Sequence, residues 1–189
     1  MSMTEPIRDK NKLKALARFY LKKKHYRNYA LIIVGVHSAL RISDLLRLKW
    51  QDVYDEGAGS FSTHLTLTEK KTGKTKTIAL NSQVLASLRL LYPERRGEFV
   101  FVSNRASALP ISRIQAWRII RAAANAIGLS GRISCHSLRK TFGYFAYKKG
   151  VLPVMLMDIF NHSSFEVTRR YLGITQEDRV KVYLSMELF

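Results

Sequence analysis

The chain carries the segment C-H-S-L-R-K-T at residues 135–141 and the segment N-H-S-S-F-E-V-T-R-R-Y at residues 161–171. A third polar segment, A-L-R-I-S-D-L, occupies residues 39–45, and all three stand among apolar, helix-like stretches. Arginine offers a rigid fork of donors to phosphate oxygens. Histidine moves protons near neutral pH, and a tyrosine hydroxyl can act as a nucleophile. Together these residue types predict a site for phosphodiester transfer that needs no metal ion.

The composition indicates a single globular domain with a polyanionic partner. A length of 189 residues suits one domain with a sizeable core, and the 47% hydrophobic content argues against disorder. Lys and Arg number 32 against 14 Asp and Glu, so the net charge is 32 − 14 = +18. Nucleic acid is the commonest polyanion. A ribosomal-type or generally basic protein is the alternative that charge alone leaves open.

Cysteine content and hydropathy indicate a cytoplasmic protein. Cys135 is the one cysteine, so no internal disulfide can form. The first ten residues contain no apolar run typical of a secretory signal. The longest apolar stretch, A-L-I-I-V-G-V at residues 30–36, is too short to span a bilayer. We therefore expect no membrane partner.

Residues 10–27 are strongly basic, with Leu13, Leu16, Phe19 and Tyr20 at helical spacing. This pattern predicts a short amphipathic helix with a cationic face. The charge, which includes the run at residues 22–24, is either a solvated surface or a set of phosphate contacts.

Residues 61–80 predict a β-hairpin. The segment F-S-T-H-L-T-L-T at residues 61–68 alternates polar and apolar residues, which is typical of a half-buried strand. Thr72-Gly73 predicts a tight turn, because glycine supplies a positive φ. The lysines expected around the tip are Lys70, Lys71, Lys74 and Lys76. Taken alone, Lys71 is one solvated lysine among the four.

Helix start and stop signals dominate the remaining sequence. Further helices are expected over residues 29–38 and 42–50, after Asn81 or Ser82, and from residues near Ser112, Ser137, Pro153 and Ser164. Thr175 and Asp178 resemble a capping pair for the last helix, and F-V-F-V at residues 99–102 predicts a short strand. The fold class expected is α+β, mainly α-helical with a small antiparallel β-sheet.

The polar side chains each have a simpler explanation when taken alone. Arg41 and Asp44 share a helix face and can form a local salt bridge. His136 and Arg139 stand three residues apart at a helix start, where free N–H groups favour a phosphate; a capping histidine beside a surface arginine is the rival. Tyr171 can be one more packed aromatic.

Their joint order resembles the tyrosine recombinases, also called the phage integrase family. It comprises the arginine of A-L-R-I-S-D-L, a lysine in a K-T-G hairpin, H-x-x-R, a further histidine, and a tyrosine nine residues on. The resemblance implies the catalytic domain of that family over residues 29–189, preceded by a basic arm at residues 1–28. A separate core-binding domain is expected to be absent, either naturally or because the sequence is a cut-down form. Short members resemble the recombinases that invert fimbrial promoter segments.

The resemblance implies a role for each of these residues. Arg41 and Arg139 would clamp the non-bridging oxygens of the scissile phosphate and stabilise the transition state. Lys71 would protonate the departing 5′ oxygen, and Lys70 or Lys74 could replace it if the hairpin register differs.

Three further roles complete the implied site. His136 would be the general acid/base, His162 would hydrogen-bond a non-bridging oxygen, and Tyr171 would be the nucleophile. Asp44 would orient the site from behind. The expected DNA contacts are Lys70, Lys74, Lys76, Lys22, Lys23, Lys24 and Arg170.

The implied function is site-specific DNA recombination through a 3′-phosphotyrosine intermediate, in integration, excision or inversion. No cofactor or metal is expected, since arginine and lysine supply the charge; a zinc site from Cys135, His136 and His162 is the weak alternative. The implied partners are double-stranded DNA, further copies in a tetramer on DNA, and accessory DNA-bending proteins. A cytoplasmic, nucleoid-associated location of bacterial or phage type follows. The other functions considered are a type IB topoisomerase and a non-catalytic DNA-binding regulator.

Overall fold

Helices surround one helix whose second half is mostly apolar and buried. The structure, a computed structural model, describes residues 4–104, 109–174 and 176–186. Its helices are α1 (Lys10–Lys22), α2 (Tyr26–His37), α3 (Ile42–Leu45), α4 (Ser82–Leu91), α5 (Arg113–Ala126), α6 (Cys135–Lys148), α7 (Pro153–Phe160), α8 (Phe165–Leu172) and α9 (Gln176–Leu184). The central helix is α2, which packs against α1, α4 and α6. Residues of α1 also enter this main core, including Leu16, Ala17 and Tyr20.

Two antiparallel strand pairs flank the helices. Strand β1 (Tyr54–Asp55) pairs with β2 (Ser60–Phe61), and β3 (His64–Thr68) pairs with β4 (Thr75–Ala79) in the register His64↔Ala79 to Thr68↔Thr75. Leu65 faces the core while its neighbours are exposed, as the alternating pattern predicts. Gly73 closes the second hairpin with φ +67°. The predicted fold class, mainly α-helical with a small antiparallel sheet, is confirmed.

Several predicted elements differ in extent. The helix expected over residues 42–50 is the single turn α3, followed by a 3-10 turn at Trp50–Asp52. The strand expected over residues 61–68 breaks into β2 and β3. Residues 99–102 form isolated bridges, Lys49↔Phe99 and Val102↔Pro110, rather than a strand. Thr175, predicted as part of a capping pair, lies outside the described residues.

Capping residues fix the three helices that carry the polar motifs. Ser134 caps α6 by accepting from the N–H of His136, so the helix begins before the predicted Ser137. Pro153 is the first residue of α7, and Ser164 caps α8. No described helix is long and apolar enough to cross a membrane.

A second, smaller core lies where α6, α7 and α8 meet. It consists of Ala39, Leu156, Phe160 and Leu172. Gly143 on α6 allows this close packing, because a Cβ there would lie 2.8 Å from Cζ of Phe160. Helices α7 and α8 are thereby held against the middle of α6.

Candidate active site

Five of the six residues predicted to be catalytic lie around the end of α7. The start of α6 contributes His136 and Arg139, and α8 contributes Tyr171. Arg41 lies just before α3, and His162 follows the end of α7. The sixth, Lys71, lies on the exposed tip of the hairpin between β3 and β4.

Tyr171 and His136 are in direct contact. The Tyr171 hydroxyl and Nε2 of His136 are hydrogen-bonded, and the two ring centroids are 4.9 Å apart. Desolvation of the ring, followed by the positive charges of Lys140 and Arg139, lowers the pKa of His136. Burial raises the pKa of Tyr171 and outweighs the opposing charge of Arg139. A neutral imidazole therefore faces a protonated phenol at neutral pH.

His162 lies on the other side of the tyrosine. Its ring centroid is 4.6 Å from that of Tyr171 and it stacks on Phe160. Its Nδ1 is 3.0 Å from Oγ1 of Thr168, a contact that fixes the ring orientation. Burial, followed by the charges of Arg139 and Arg41, lowers the pKa of His162 to about 4. His162 is thus neutral and can offer a single N–H donor to a substrate.

Arg139 is a buried cation held by main-chain carbonyls. Its side chain is 1% exposed. Nη2 donates to the carbonyl of Phe160 (2.6 Å), and Nη1 donates to the carbonyl of Ala39. Burial, followed by the charge of Arg41, lowers the pKa of Arg139 to about 10, so it remains charged at neutral pH.

Arg41 forms its ion pair with an unexpected partner. Nη1 lies 2.8 Å from Oε2 of Glu69, and Nη2 donates to the carbonyl of Phe160 at 3.4 Å. The local salt bridge with Asp44 is therefore wrong as an explanation of Arg41. Asp44 is buried, and its Oδ1 instead accepts the backbone N–H of Lys70 at 3.1 Å. That contact anchors the start of the hairpin loop behind the site.

The hairpin lysines divide into two sets. Lys70, Lys71 and Lys74 are exposed on the loop. Lys76 was expected at the tip but lies on β4, half-buried, and its Nζ donates to the carbonyl of Ile159. Burial, followed by the charge of Arg139, lowers the pKa of Lys76 to about 8.

The other predicted DNA contacts lie on exposed surfaces. Lys22 ends α1 and Lys23 and Lys24 follow it, with the ammonium of Lys23 4.2 Å from the ring centroid of Phe19. Arg170 forms an exposed ion pair of 3.7 Å with a glutamate one turn earlier. Next to the end of α1, a basic cavity of about 600 Å³ is lined by residues that include Lys24, Arg27, Arg95 and Arg96.

Two residues of the site were missed by sequence interpretation. Glu69 and Asn161 hydrogen-bond to each other at 3.0 Å in the middle of the polar cluster. Asn161 ends α7 with φ +51°, a conformation that asparagine tolerates. The one signal for Glu69 in the sequence was an acidic residue directly after an alternating polar and apolar segment. Within the described residues, no group of three or more His, Cys, Asp or Glu is placed to hold a metal ion.

The fold and this cluster define a class of protein. The phage integrase family model matches residues 8–178, and the chain belongs to that family, the tyrosine recombinases. The predicted family, fold and enzyme class are thereby confirmed.

Individual relatives agree with the assignment. The chain is 41% identical over 188 residues to the probable integrase/recombinase YoeC of Bacillus subtilis, covering 97% of each chain. It is 31% identical over 150 residues to the type 1 fimbriae regulatory protein FimB of Escherichia coli, covering 77% of this chain and 72% of FimB. The XerA recombinase structure superposes with a TM-score of 0.78 at 20% identity, over 100% of this chain and 67% of XerA. The XerH recombinase bound to palindromic difH gives a TM-score of 0.78 at 20% identity, over 98% of this chain and 54% of XerH.

Proposed function

We propose that this protein cleaves and rejoins duplex DNA through a 3′-phosphotyrosyl bond to Tyr171. The observation that carries the proposal is the hydrogen bond between the Tyr171 hydroxyl and a neutral His136, with two arginines beside it. A protein that only binds DNA has no use for a phenol paired with a base. The net charge of +18 supports a duplex as the substrate.

The first step is attack of the phenol on phosphorus. His136 accepts the hydroxyl proton as Tyr171 Oη bonds to the phosphorus. The phosphate lies at the start of α6, where the positive end of the helix dipole favours an anion. Arg41 and Arg139 contact its non-bridging oxygens and stabilise the five-coordinate transition state. His162 donates a further hydrogen bond to one of these oxygens.

The second bond breaks as the 5′ oxygen leaves. Lys71 gives a proton to this oxygen, and the product is a free 5′-hydroxyl. Lys71 lies exposed on the hairpin loop, a position that suits a group that closes on the DNA. The tyrosyl ester keeps the energy of the broken phosphodiester, so rejoining by another 5′-hydroxyl needs no ATP. Asp44 supports this step by anchoring the hairpin at Lys70.

Covalent trapping tests this function. A nicked suicide duplex loses the short 5′-hydroxyl strand after cleavage, so the protein should remain attached to the DNA and shift on a denaturing gel. Tyr171→Phe should abolish the shift and bind the same duplex with nearly unchanged affinity, because the ring is retained. Tyr54→Phe, on β1 and outside both the polar cluster and α9, is the matched control and should react normally. A covalent product from the Tyr171→Phe variant would refute the assignment.

We further propose that copies associate on DNA through α9. This helix exposes Val180, Val182, Tyr183 and Leu184, an apolar set with no described core contact. A cavity of about 470 Å³ between α1, α2 and α6 offers apolar residues, among them Leu13, Ile33 and Phe145. Burial of apolar area drives such association.

Charge substitution on α9 tests the association. Leu184→Lys should prevent DNA-dependent oligomers in light scattering while the protein still forms the covalent complex on one suicide half-site. Gln176→Lys, on the same helix but outside the apolar set, adds the same charge and should leave the oligomers unchanged. Oligomers that persist with the Leu184→Lys variant would contradict the proposal.

A further inference from the structure

Glu69 is a buried carboxylate within the cluster to which the sequence motifs give no role. It follows β3 directly, and its side chain is 1% exposed. Its Oε2 lies 2.8 Å from Nη1 of Arg41, accepts a hydrogen bond from Oγ1 of Thr72 at 2.8 Å, and accepts another from Nδ2 of Asn161 at 3.0 Å. The hairpin loop, the end of α7 and the residue before α3 therefore meet at one oxygen atom.

The carboxylate is charged under all ordinary conditions. Burial alone would raise the pKa of Glu69, but hydrogen bonds from Asn161, Thr72 and Arg41 outweigh it and hold the pKa at about 2. A negative charge this close to a phosphate site opposes the binding of DNA. Glu69 therefore does not serve to attract the DNA, and its presence in the site needs another explanation.

Arg41 keeps donors available while it is paired. A guanidinium has five N–H donors, and one each is directed to Glu69 and to the carbonyl of Phe160. Because Nη1 is buried, the donors left for a substrate are on the 18% of the side chain that is exposed. A guanidinium held by a buried carboxylate has lost its rotamer freedom before the substrate arrives, so its remaining donors have a fixed direction.

We propose that Glu69 is a positioning residue for strand cleavage, which fixes Arg41 in the orientation that contacts the non-bridging oxygens of the scissile phosphate. Thr72 and Asn161 hold the carboxylate in place, so it also joins the hairpin to the end of α7. This inference rests on the proposed function, because it concerns the rate of the same cleavage step.

Glu69→Gln tests the proposal by removing the charge and keeping the shape. Covalent complex formation under single-turnover conditions should slow by about 10- to 100-fold, since a misplaced group can cost on the order of 10²-fold. Affinity for the duplex should stay the same or increase, because a negative charge is lost. Glu98→Gln is the matched control: Glu98 forms an exposed ion pair with Lys49 (2.9 Å), and its loss should change neither quantity.

Two measurements distinguish positioning from a general structural role. In an Arg41→Ala background, Glu69→Gln should cause no further slowing, because its effect acts through that arginine. A duplex with sulfur in place of the leaving 5′ oxygen needs no proton donor, since a thiolate leaves readily. This duplex should restore the Lys71→Ala variant and leave the Glu69→Gln variant slow.

The outcomes separate the two proposals. If the wild type forms no covalent complex, the proposed function fails. If the wild type reacts and Glu69→Gln reacts equally fast, or if the Arg41 and Glu69 effects add, the role of Glu69 is refuted. If Glu69→Gln does not fold, Thr72→Val removes one donor to the same oxygen; it should slow cleavage about 2- to 10-fold, and an unchanged rate would overturn the inference.

Discussion

The last carbonyl groups of α7 accept hydrogen bonds from three cationic side chains. The carbonyl of Ile159 accepts from Lys76, and the carbonyl of Phe160 accepts from Arg41 and Arg139. Carbonyls in the last turn of a helix have no intrahelical partner, and they carry the negative end of the helix dipole. The helix end therefore orients positive charges without adding a carboxylate for each of them.

The lowered pKa of His136 should let cleavage continue at moderately low pH. Its pKa is lowered to about 4, so the neutral base is present above that value and is lost as the pH falls through it. We expect the single-turnover rate of the covalent step to be retained down to about pH 5 and to fall below it. The His162→Gln variant should react more slowly at every pH, and its rate should fall over the same pH range as that of the wild type. A midpoint near 6.5, the unperturbed value, would show that the ring is not perturbed.

The family pattern predicted Arg41, whose partners are distant in the chain, together with residues that are close to one another. His136 and Arg139 share one helix start, and Tyr171 lies on the helix that follows His162. Glu69 escaped prediction, because Asn161, one of its partners, is 92 residues away. Such a contact depends on the packing of α7 against the hairpin, which no short motif contains.

At the scale of elements, the hairpin is attached to the helical core at the start of its loop. Asp44, which is 4% exposed, accepts the backbone N–H of Lys70 from across the molecule. The hairpin turn itself is closed by the N–H of Gly73 bonding to the carbonyl of Glu69 at 2.9 Å. The loop that carries Lys71 is thus held on both sides of that residue, by Asp44 at Lys70 and by Asn161, whose Nδ2 donates to Oγ1 of Thr72 at 3.0 Å.

Removal of the hydrogen bond between Lys70 and Asp44 should destabilise the protein. Asp44→Ala leaves the N–H of Lys70 without its acceptor, at an expected cost of about 1–3 kcal/mol in the free energy of unfolding. Asp55→Ala is the matched control, because Asp55 also accepts backbone N–H groups (Gly57 at 2.9 Å) but is exposed; its cost should be about 0.5 kcal/mol. Urea unfolding measures both, and equal costs would contradict the role of Asp44.

Helices were predicted more accurately than strands, because capping residues mark where a helix begins. Asn81, Ser112 and Ser164 each accept a main-chain N–H at a predicted helix start, since such caps act within three residues. The strand over residues 61–68 breaks because residues 60–61 pair with β1 and residues 64–68 with β4. Pairing partners are set by tertiary structure, so the alternating pattern alone did not reveal the break.

At the scale of the whole molecule, the net positive charge controls the affinity for DNA and its dependence on salt. The net charge of +18 predicts affinity that falls steeply with salt. If the lysines at residues 22–24 contact phosphates, replacing all three with alanine should reduce the slope of log K against log salt by about 0.9 for each contact. A triple variant that removes equal charge from the same helix is the control, namely Lys12, Lys14 and Arg18→Ala. Equal changes in the two variants would indicate net charge rather than contact.

Mass mapping of the trapped complex tests the central claim most directly. Trypsin cleaves after Arg170 and Arg179, so it releases residues 171–179, Y-L-G-I-T-Q-E-D-R, which contain one tyrosine. After nuclease digestion of the DNA, we predict that this peptide carries a 3′-linked nucleotide on Tyr171. The same adduct should form in the presence of EDTA, and the released strand should end in a 5′-hydroxyl. A nucleotide on any other residue, or a complex that forms only with added metal ion, would contradict the account.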